Sequence, residues 1–469
     1  MKAKVRKWNR HGFAASLGRF ALGLLMAIHG SIAEPVNDPV ATRTNPQAAG
    51  NPPVEGQSQE VTPPTPPTPS ATPAAQAKQE ATPLRSGTEC PNAEGFSENL
   101  DLTPKEYEQR AAKGDATAQC SLGLCYELGQ GVGKDEEIAA SWYKRAAEQG
   151  NARAQCNLGW FYAHGLGVPK KDESAAEWFR KAADQGYARA ECELGRCYLV
   201  GFGVPKNEQK AIAWFRKAAD QGYARAQWRL GRCYEHGFGV PADNAAAAGW
   251  FQNAADLGYA EAQIDLGYCY AHGIGVTKNS KLAVSWFQKA ADVGCAKAQN
   301  NLGNCYHKGI GVTKNSKLAV SWYQKAADQG NASAQYNLGL CYAHGIGVTR
   351  NGEAAVSWYR KAADQGHSIA QTNLGYCYAV GLGVEPDVQK AIRWYRKAAA
   401  LGDPVAQQNL ENIQNVRRER ERDRVMEEAK ELVEKERAEL QDQIDHLKKE
   451  EEEREEEHRR RMEELREKH

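Results

Sequence analysis

Twelve cysteines and eleven histidines give this 469-residue chain its widest chemical repertoire: nucleophilic thiolate, disulfide, metal ligation. Seven of the thiols, Cys125, Cys197, Cys233, Cys269, Cys305, Cys341 and Cys377, share one phase of a 36-residue period, three residues after a recurring leucine. On a helix that position turns back to the buried side, where cysteine behaves as a small hydrophobe. Equivalent positions in stacked helices are about 10 Å apart, beyond the roughly 7 Å that a disulfide allows between Cα atoms. These seven read as free core thiols. Cys120, Cys156 and Cys192 fall two residues before the same leucine, about 160° round the helix from the core face, and are expected to be visible from solvent. No Cys-x-x-Cys spacing occurs, and the stacking distance prevents shared ligation, so neither a metal nor another cofactor is expected. Cys90 and Cys295 have no counterparts in other copies of the period and receive no assignment.

His164, His236, His272 and His344 repeat just before a loop glycine. The period strings them along one edge instead of converging them, so capping of terminal helix carbonyls is the better reading than metal ligation. The Gly-x-Gly loops follow helices, not strands, which argues against phosphate cradles and for backbone angles that other residues avoid. No Cys–His–Asp/Asn arrangement or pair of carboxylates suits catalysis, and no enzyme is expected.

The elements that must carry these residues are copies of one unit. Leu-Gly recurs at Leu122, Leu158, Leu194, Leu230, Leu266, Leu302, Leu338 and Leu374, and tryptophan at Trp142, Trp178, Trp214, Trp250, Trp286, Trp322, Trp358 and Trp394, without an insertion or deletion. Within one copy, Ala154, Leu158 and Tyr162 fall four apart, predicting a first helix over 152–163. Gly165-Leu166-Gly167-Val168 breaks it. Asp172 is the expected N-cap of a second helix through Gln185, with Trp178, Ala182 and Ala183 as its apolar stripe and Gly186 as its stop. Gly159, Ala182 and Ala183 permit close helix approach, leaving Leu158, Tyr162 and Trp178 to fill the space between units.

The run Ala-x-Ala-Gln-x-x-Leu-Gly-x-x-Tyr, then Gly-x-Gly-Val, then Trp-Phe/Tyr-x-Lys-Ala-Ala and a closing Gly, resembles the Sel-1-like repeat family, a relative of tetratricopeptide repeats, over residues 104–410. The resemblance implies an all-α fold: an α/α superhelical solenoid of about eight 36-residue helix–turn–helix repeats that acts as an adaptor for protein assemblies. It implies no catalytic residues. Some secreted members bridge the two helices of each repeat, but Ala182, Ala183 and their equivalents hold no cysteine here, so that pattern is absent.

Three other segments flank the array. Residues 1–33 contain six basic and no acidic residues, an apolar run from Phe20 to Ile28 and the sequence Ser31-Ile32-Ala33, which suits a cleaved secretory signal peptide. Export to a periplasm or the extracellular space is therefore expected, with a mitochondrial presequence or an uncleaved anchor as alternatives. The apolar run is too short to span a bilayer, so the mature chain should have no transmembrane span. Removing those six charges takes the formal charge from +1 to −5, which leaves no basic excess pointing to nucleic acid. Residues 34–103, with Pro63-Pro64-Thr65-Pro66-Pro67-Thr68-Pro69 at the centre, lack the apolar content for a core and read as a disordered, extended tether.

The segment 411–469 begins where the repeat fails, because Glu411 replaces the packing glycine and Arg417 stands where a loop glycine should be. It has no Gly or Pro after Arg417 and reads as a long charged helix. Met426, Val433, Leu440 and Leu447 are seven apart, but the alternate set is Lys430, Arg437, Ile444 and Glu451. A short coiled-coil homodimer over 426–447 and a solvated single helix fit this pattern equally.

Function is sought on the outer side of the first helices, expected to line a concave face. Two positions per copy point there, two before and two after the leucine, and they vary while the core positions barely do. They supply Trp160, Arg196, Trp228, Arg232, Tyr268, Tyr336 and Tyr376, residue types that dominate interface energetics. The expected function is a scaffold binding protein or peptide partners through these residues. A structural envelope spacer without a specific ligand and, least favoured, a thiol-dependent enzyme are the alternatives.

Overall fold

The computed structural model describes residues 102–467, with side chains through Glu463. The signal-peptide reading and nearly all of the tether lie outside these residues. The described chain is an all-α solenoid. After α1 (Pro104–Ala112), first helices alternate with second helices at the 36-residue step. The first helices are α2 (Ala116–Leu128), α4 (Ala152–His164), α6 (Ala188–Val200), α8 (Ala224–His236), α10 (Ala260–His272), α12 (Ala296–Lys308), α14 (Ala332–His344) and α16 (Ser368–Val380). The second helices are α3 (Glu136–Glu148), α5 (Asp172–Ala183), α7 (Glu208–Asp220), α9 (Asn244–Asp256), α11 (Ser280–Asp292), α13 (Ser316–Asp328), α15 (Gly352–Asp364) and α17 (Val388–Ala400). The chain closes with the 64-residue α18 (Pro404–Glu467). It divides into two compact units, one ending at Ala362 and one beginning at Ala363. Among the described residues, no helix is long and apolar enough to cross a membrane.

Each repeat closes through a ring pressed on a glycine. Phe179 is fully buried, and a Cβ placed on Gly159 of the facing helix would come within 2.9 Å of its ring. The same pairing joins Gly195 to Phe215, Gly231 to Phe251 and Gly303 to Tyr323. Ala175, Ala176, Ala182 and Ala183 complete the buried stripe on either side of the ring. The tryptophan one residue earlier is buried in one copy, as Trp286, but in this copy it is not the core residue the sequence suggests. A step of about 100° turns Trp178 to the margin of that stripe, where it is half-buried, and Tyr162 on the first helix is half-buried too. Lys181 lies 4.1 Å above the Trp178 ring, and the same cation–π pair recurs as Lys217 on Trp214, Lys289 on Trp286 and Lys325 on Trp322.

Caps set the helix boundaries. Asp135, Asn207, Asp243, Asn279 and Asn315 each accept main-chain N–H bonds at the start of their second helices. The cap sits one residue earlier than expected, so Asp172 is the first helical residue of α5 and Lys171, which caps nothing, takes the cap position. The first helices end on glycines in the left-handed region, such as Gly165 at φ 71°. In the same loop a Cβ on Gly167 would strike the Glu136 main-chain carbonyl of the preceding repeat, so the Gly-x-Gly is a packing contact between successive repeats.

A ladder of glutamines runs along the edge of the stack. Gln155 Nε2 donates to the Ala147 carbonyl at 3.0 Å, and its Oε1 accepts from Gln185 at 2.7 Å. Gln119 with Gln149 and Gln299 with Gln329 repeat this, and Glu191 accepts from Gln221. Where the residue thirty positions on is apolar, the ladder breaks. Gln227 faces Leu257, Gln263 faces Val293, and Gln371 faces Leu401; in each case the glutamine Oε1 is buried with no donor. Leu257, Val293 and Leu401 are meanwhile more than half exposed.

Leu257→Gln should therefore raise stability by about 1 kcal/mol, by supplying the missing donor to Gln227 and removing an exposed apolar side chain. Gln185→Leu should lower it by a similar amount. Urea denaturation of the two variants checks both signs, and an unchanged or reduced midpoint for Leu257→Gln would refute the account.

Candidate functional site

The positions flanking the repeat leucine do not all reach solvent. Cys120, Cys156 and Cys192 are buried, at 1, 1 and 2 % exposure, which corrects the expectation that they face outward. The 160° estimate treats a first helix as if one side alone were covered. In the stack its neighbours before and after cover two further sides. Ten cysteines are free and buried, as expected for the seven-membered row. Burial pushes most of these thiols up to about 12, among them Cys120, Cys156, Cys192, Cys197 and Cys341. They are poor nucleophiles. No group of acidic, His and Cys side chains among the described residues could hold a metal ion.

The seven candidate interface residues also divide. Trp160 and Arg196 are buried at 9 and 8 % exposure, whereas Trp228, Arg232, Tyr268 and Tyr336 are partly exposed in the first unit. Tyr376 is partly exposed in the second unit. Trp160 stacks on His164 at 3.9 Å and Tyr268 on His272 at 4.2 Å. His164 Nδ1 lies 2.8 Å from the Trp160 carbonyl, consistent with the capping role. The indole N–H of Trp228 donates to Asp265 on the next first helix at 2.7 Å, and its ring lies 5.6 Å from that of Tyr259. Arg232 Nη1 donates to Glu235 at 2.9 Å. These side chains are held by their neighbours before any partner arrives.

A set of charged residues that the sequence reading passed over lies among them. Glu193, only 2 % exposed, accepts from Arg196 Nε at 2.8 Å on its own helix and from Arg225 Nη1 at 3.1 Å on the next first helix. Burial alone would raise its carboxyl, but Arg196 and Arg225 together outweigh that and hold it at about 2. Arg189 makes the corresponding reach to Asn157 at 3.4 Å. Both contacts join residues 32 apart, so the usable signal in the sequence is polar residues recurring one and five positions before the repeat leucine. Asp265 differs: burial raises its carboxyl, with Arg232 and the Trp228 N–H opposing.

A family model described as Sel1 repeat matches eight consecutive segments from 116–151 to 368–403. The chain belongs to the Sel1 repeat family. Among solved structures it is similar to a protective antigen of uropathogenic Escherichia coli strains displaying an SLR fold, at 37 % identity over 66 % of this chain and 67 % of that one, with a TM-score of 0.54. It is also similar to a Sel1 repeat protein from Oxalobacter formigenes, at 34 % identity over 66 % of this chain and 89 % of that one, with a TM-score of 0.49. Comparison with curated proteins finds no match. Sel1-repeat proteins are generally protein-interaction scaffolds.

The buried thiols of this Sel1 array should resist alkylation in the native state at neutral pH and react only on unfolding. Mass shifts after N-ethylmaleimide treatment with and without denaturant check this. Native modification of Cys120, Cys156 or Cys192 would restore the solvent-facing reading.

Proposed function

We propose that the chain is a non-enzymatic scaffold that binds protein or peptide partners on the exposed side of its first helices, centred on Trp228, Arg232 and Tyr268. One observation carries this reading: these residues sit on adjacent first helices, are partly exposed, and are held by hydrogen bonds from Trp228 and Arg232 and by the ring contact of Tyr268 with His272. Preorganised aromatic and arginine side chains lose little entropy on binding, so more of their contact energy appears as affinity. Arg196 plays no direct part, because it is buried in the Glu193 network and its replacement would disturb folding first. Arg232→Ala with Tyr268→Ala and Tyr336→Ala should keep the helical circular dichroism of wild type and weaken binding of a partner identified with the wild-type chain about tenfold or more. Unchanged affinity, with loss instead on altering second-helix residues such as Lys217 and Lys289, would move the interface to the other side.

A second reading concerns the C-terminal helix. Met426, Val433, Leu440 and Leu447 are 58–62 % exposed along one row of α18. A helix of this length carrying such a row gains from pairing with a second copy, through a coiled coil confined to 426–447. Sedimentation equilibrium of the full chain should show a dimer that Val433→Glu with Leu440→Glu converts to monomer; a monomer at all concentrations for the wild type would discard the pairing.

A further inference from the structure

We infer that Cys295 is joined to Cys90 by a disulfide, which straps the end of the Pro-rich segment to the fifth repeat of the array.

These are the two cysteines that the 36-residue period leaves unassigned. Ten of the chain's twelve cysteines are free and buried. Cys295 is not one of them, because its sulfur is disulfide-bonded. Cys90 is the one cysteine of the chain left to supply the second sulfur.

The place of Cys295 in its repeat suits a cross-link better than a cap. It is the last residue of the fifth repeat and holds the N-cap position of α12. At the same phase Asn151 and Asn331 accept from the Ala154 and Ala334 main-chain N–H groups at 2.9 and 2.8 Å, and both are half-buried. Cys295 makes no such bond, so α12 forgoes the stabilisation that a side-chain cap brings, yet the residue is fully buried. Its main chain is fixed: the N–H donates to the Ala290 carbonyl at 3.1 Å, and the carbonyl accepts from the Gln299 N–H at 3.0 Å. The sulfur therefore has a set position at the edge where the first helices begin, apart from the core thiol row.

Reach decides the path. The 12 residues from Cys90 to Leu102 span at most about 40 Å when fully extended. Five first-helix steps, from α2 to α12, measure about 50 Å along the stack. The strap is too short to follow the stack and has to cross the inside of its curve. Closing it links the first and fifth repeats of a solenoid in which each unit otherwise contacts only its neighbours. The Pro-rich tether before Cys90 then leaves the array at its fifth repeat and not at its first.

Formation of the bond balances as a thiol–disulfide exchange with a disulfide oxidant, for which oxidised glutathione serves in vitro. One cysteine thiolate attacks the oxidant and releases a first thiol; the other displaces the second thiol and closes the S–S bond, so two electrons and two protons pass to the oxidant. Such bonds persist in oxidising compartments, which suits the export expected from residues 1–33.

The test uses the full chain, purified without reductant and equilibrated with oxidised glutathione. Unfolding in iodoacetamide followed by peptide mass mapping should give one linked pair, Cys90 with Cys295, and ten alkylated cysteines. Cleavage by a Glu-specific protease at Glu94 or Glu98 should leave the two fragments joined until dithiothreitol is added. Cys295→Ser should release the N-terminal fragment without reductant. Reduction of the wild type, Cys90→Ser and Cys295→Ser should lower the melting midpoint alike, by about 5 °C or more, and the double variant no further. If Cys295→Ser fails to fold, Cys90→Ser carries the same comparisons and the wild-type map still decides. Alkylated Cys295 in the oxidised protein, a bond from Cys295 to a second copy or to one of the other ten cysteines, or a midpoint indifferent to reduction would overturn the inference.

Discussion

Closure of each repeat depends on an aromatic ring seated on a glycine, and the rest of the array follows from that contact. A Cβ on Gly195 would approach the Phe215 ring to 2.7 Å, so any other residue there would push the two helices apart. Close approach in turn requires small residues along the facing stripe, which Ala211, Ala218 and Ala219 provide without exposure. Fixed spacing within a repeat fixes the pitch between repeats, because a loop glycine of one unit leans on the main chain of the unit before it. That constraint explains why the 36-residue step tolerates no insertion across eight copies.

The edge of the stack has a different logic. The glutamine ladder links each first helix to the end of the preceding second helix and to the end of its own partner, so each amide ties three elements. Its loss at Leu257 and Val293 falls on consecutive repeats of the first unit. A missing donor there leaves a buried acceptor unsatisfied, a cost of about 1–3 kcal/mol, while neighbouring repeats keep the ladder intact. In a solenoid, where each unit contacts only its neighbours, such a defect is local and the array survives it.

Much of this was legible in the sequence because a period averages out local noise. The helix–turn–helix unit, the left-handed glycine stops and the buried thiol row follow from positions repeated up to eight times, and the helix running past the last repeat from the loss of the glycines at Glu411 and Arg417. Two kinds of inference failed, for geometric reasons. The tryptophan phase puts Trp178 in the apolar stripe, yet the ring on the glycine is Phe179 one position on, about 100° round the helix, and Trp178 lies at a lysine-covered margin. Cys120, Cys156 and Cys192 were placed in solvent by angle from the core leucine alone, although a first helix in a stack is also covered by the first helices before and after it. The Glu193 network escaped notice because its partners are 32 residues apart, a spacing that means contact only once the pitch of the stack is known.

The same neighbour burial shapes the candidate surface. On an isolated helix, Glu193 and its arginines would be solvated charges worth little to each other. Between stacked helices they are largely desolvated, and removing Glu193 would take the shared carboxylate from both Arg196 and Arg225. Arg196 and Arg225 are fixed on Glu193 by these contacts. The partly exposed side chains beside them, Trp228 and Arg232, are likewise already placed by their bonds to Asp265 and Glu235.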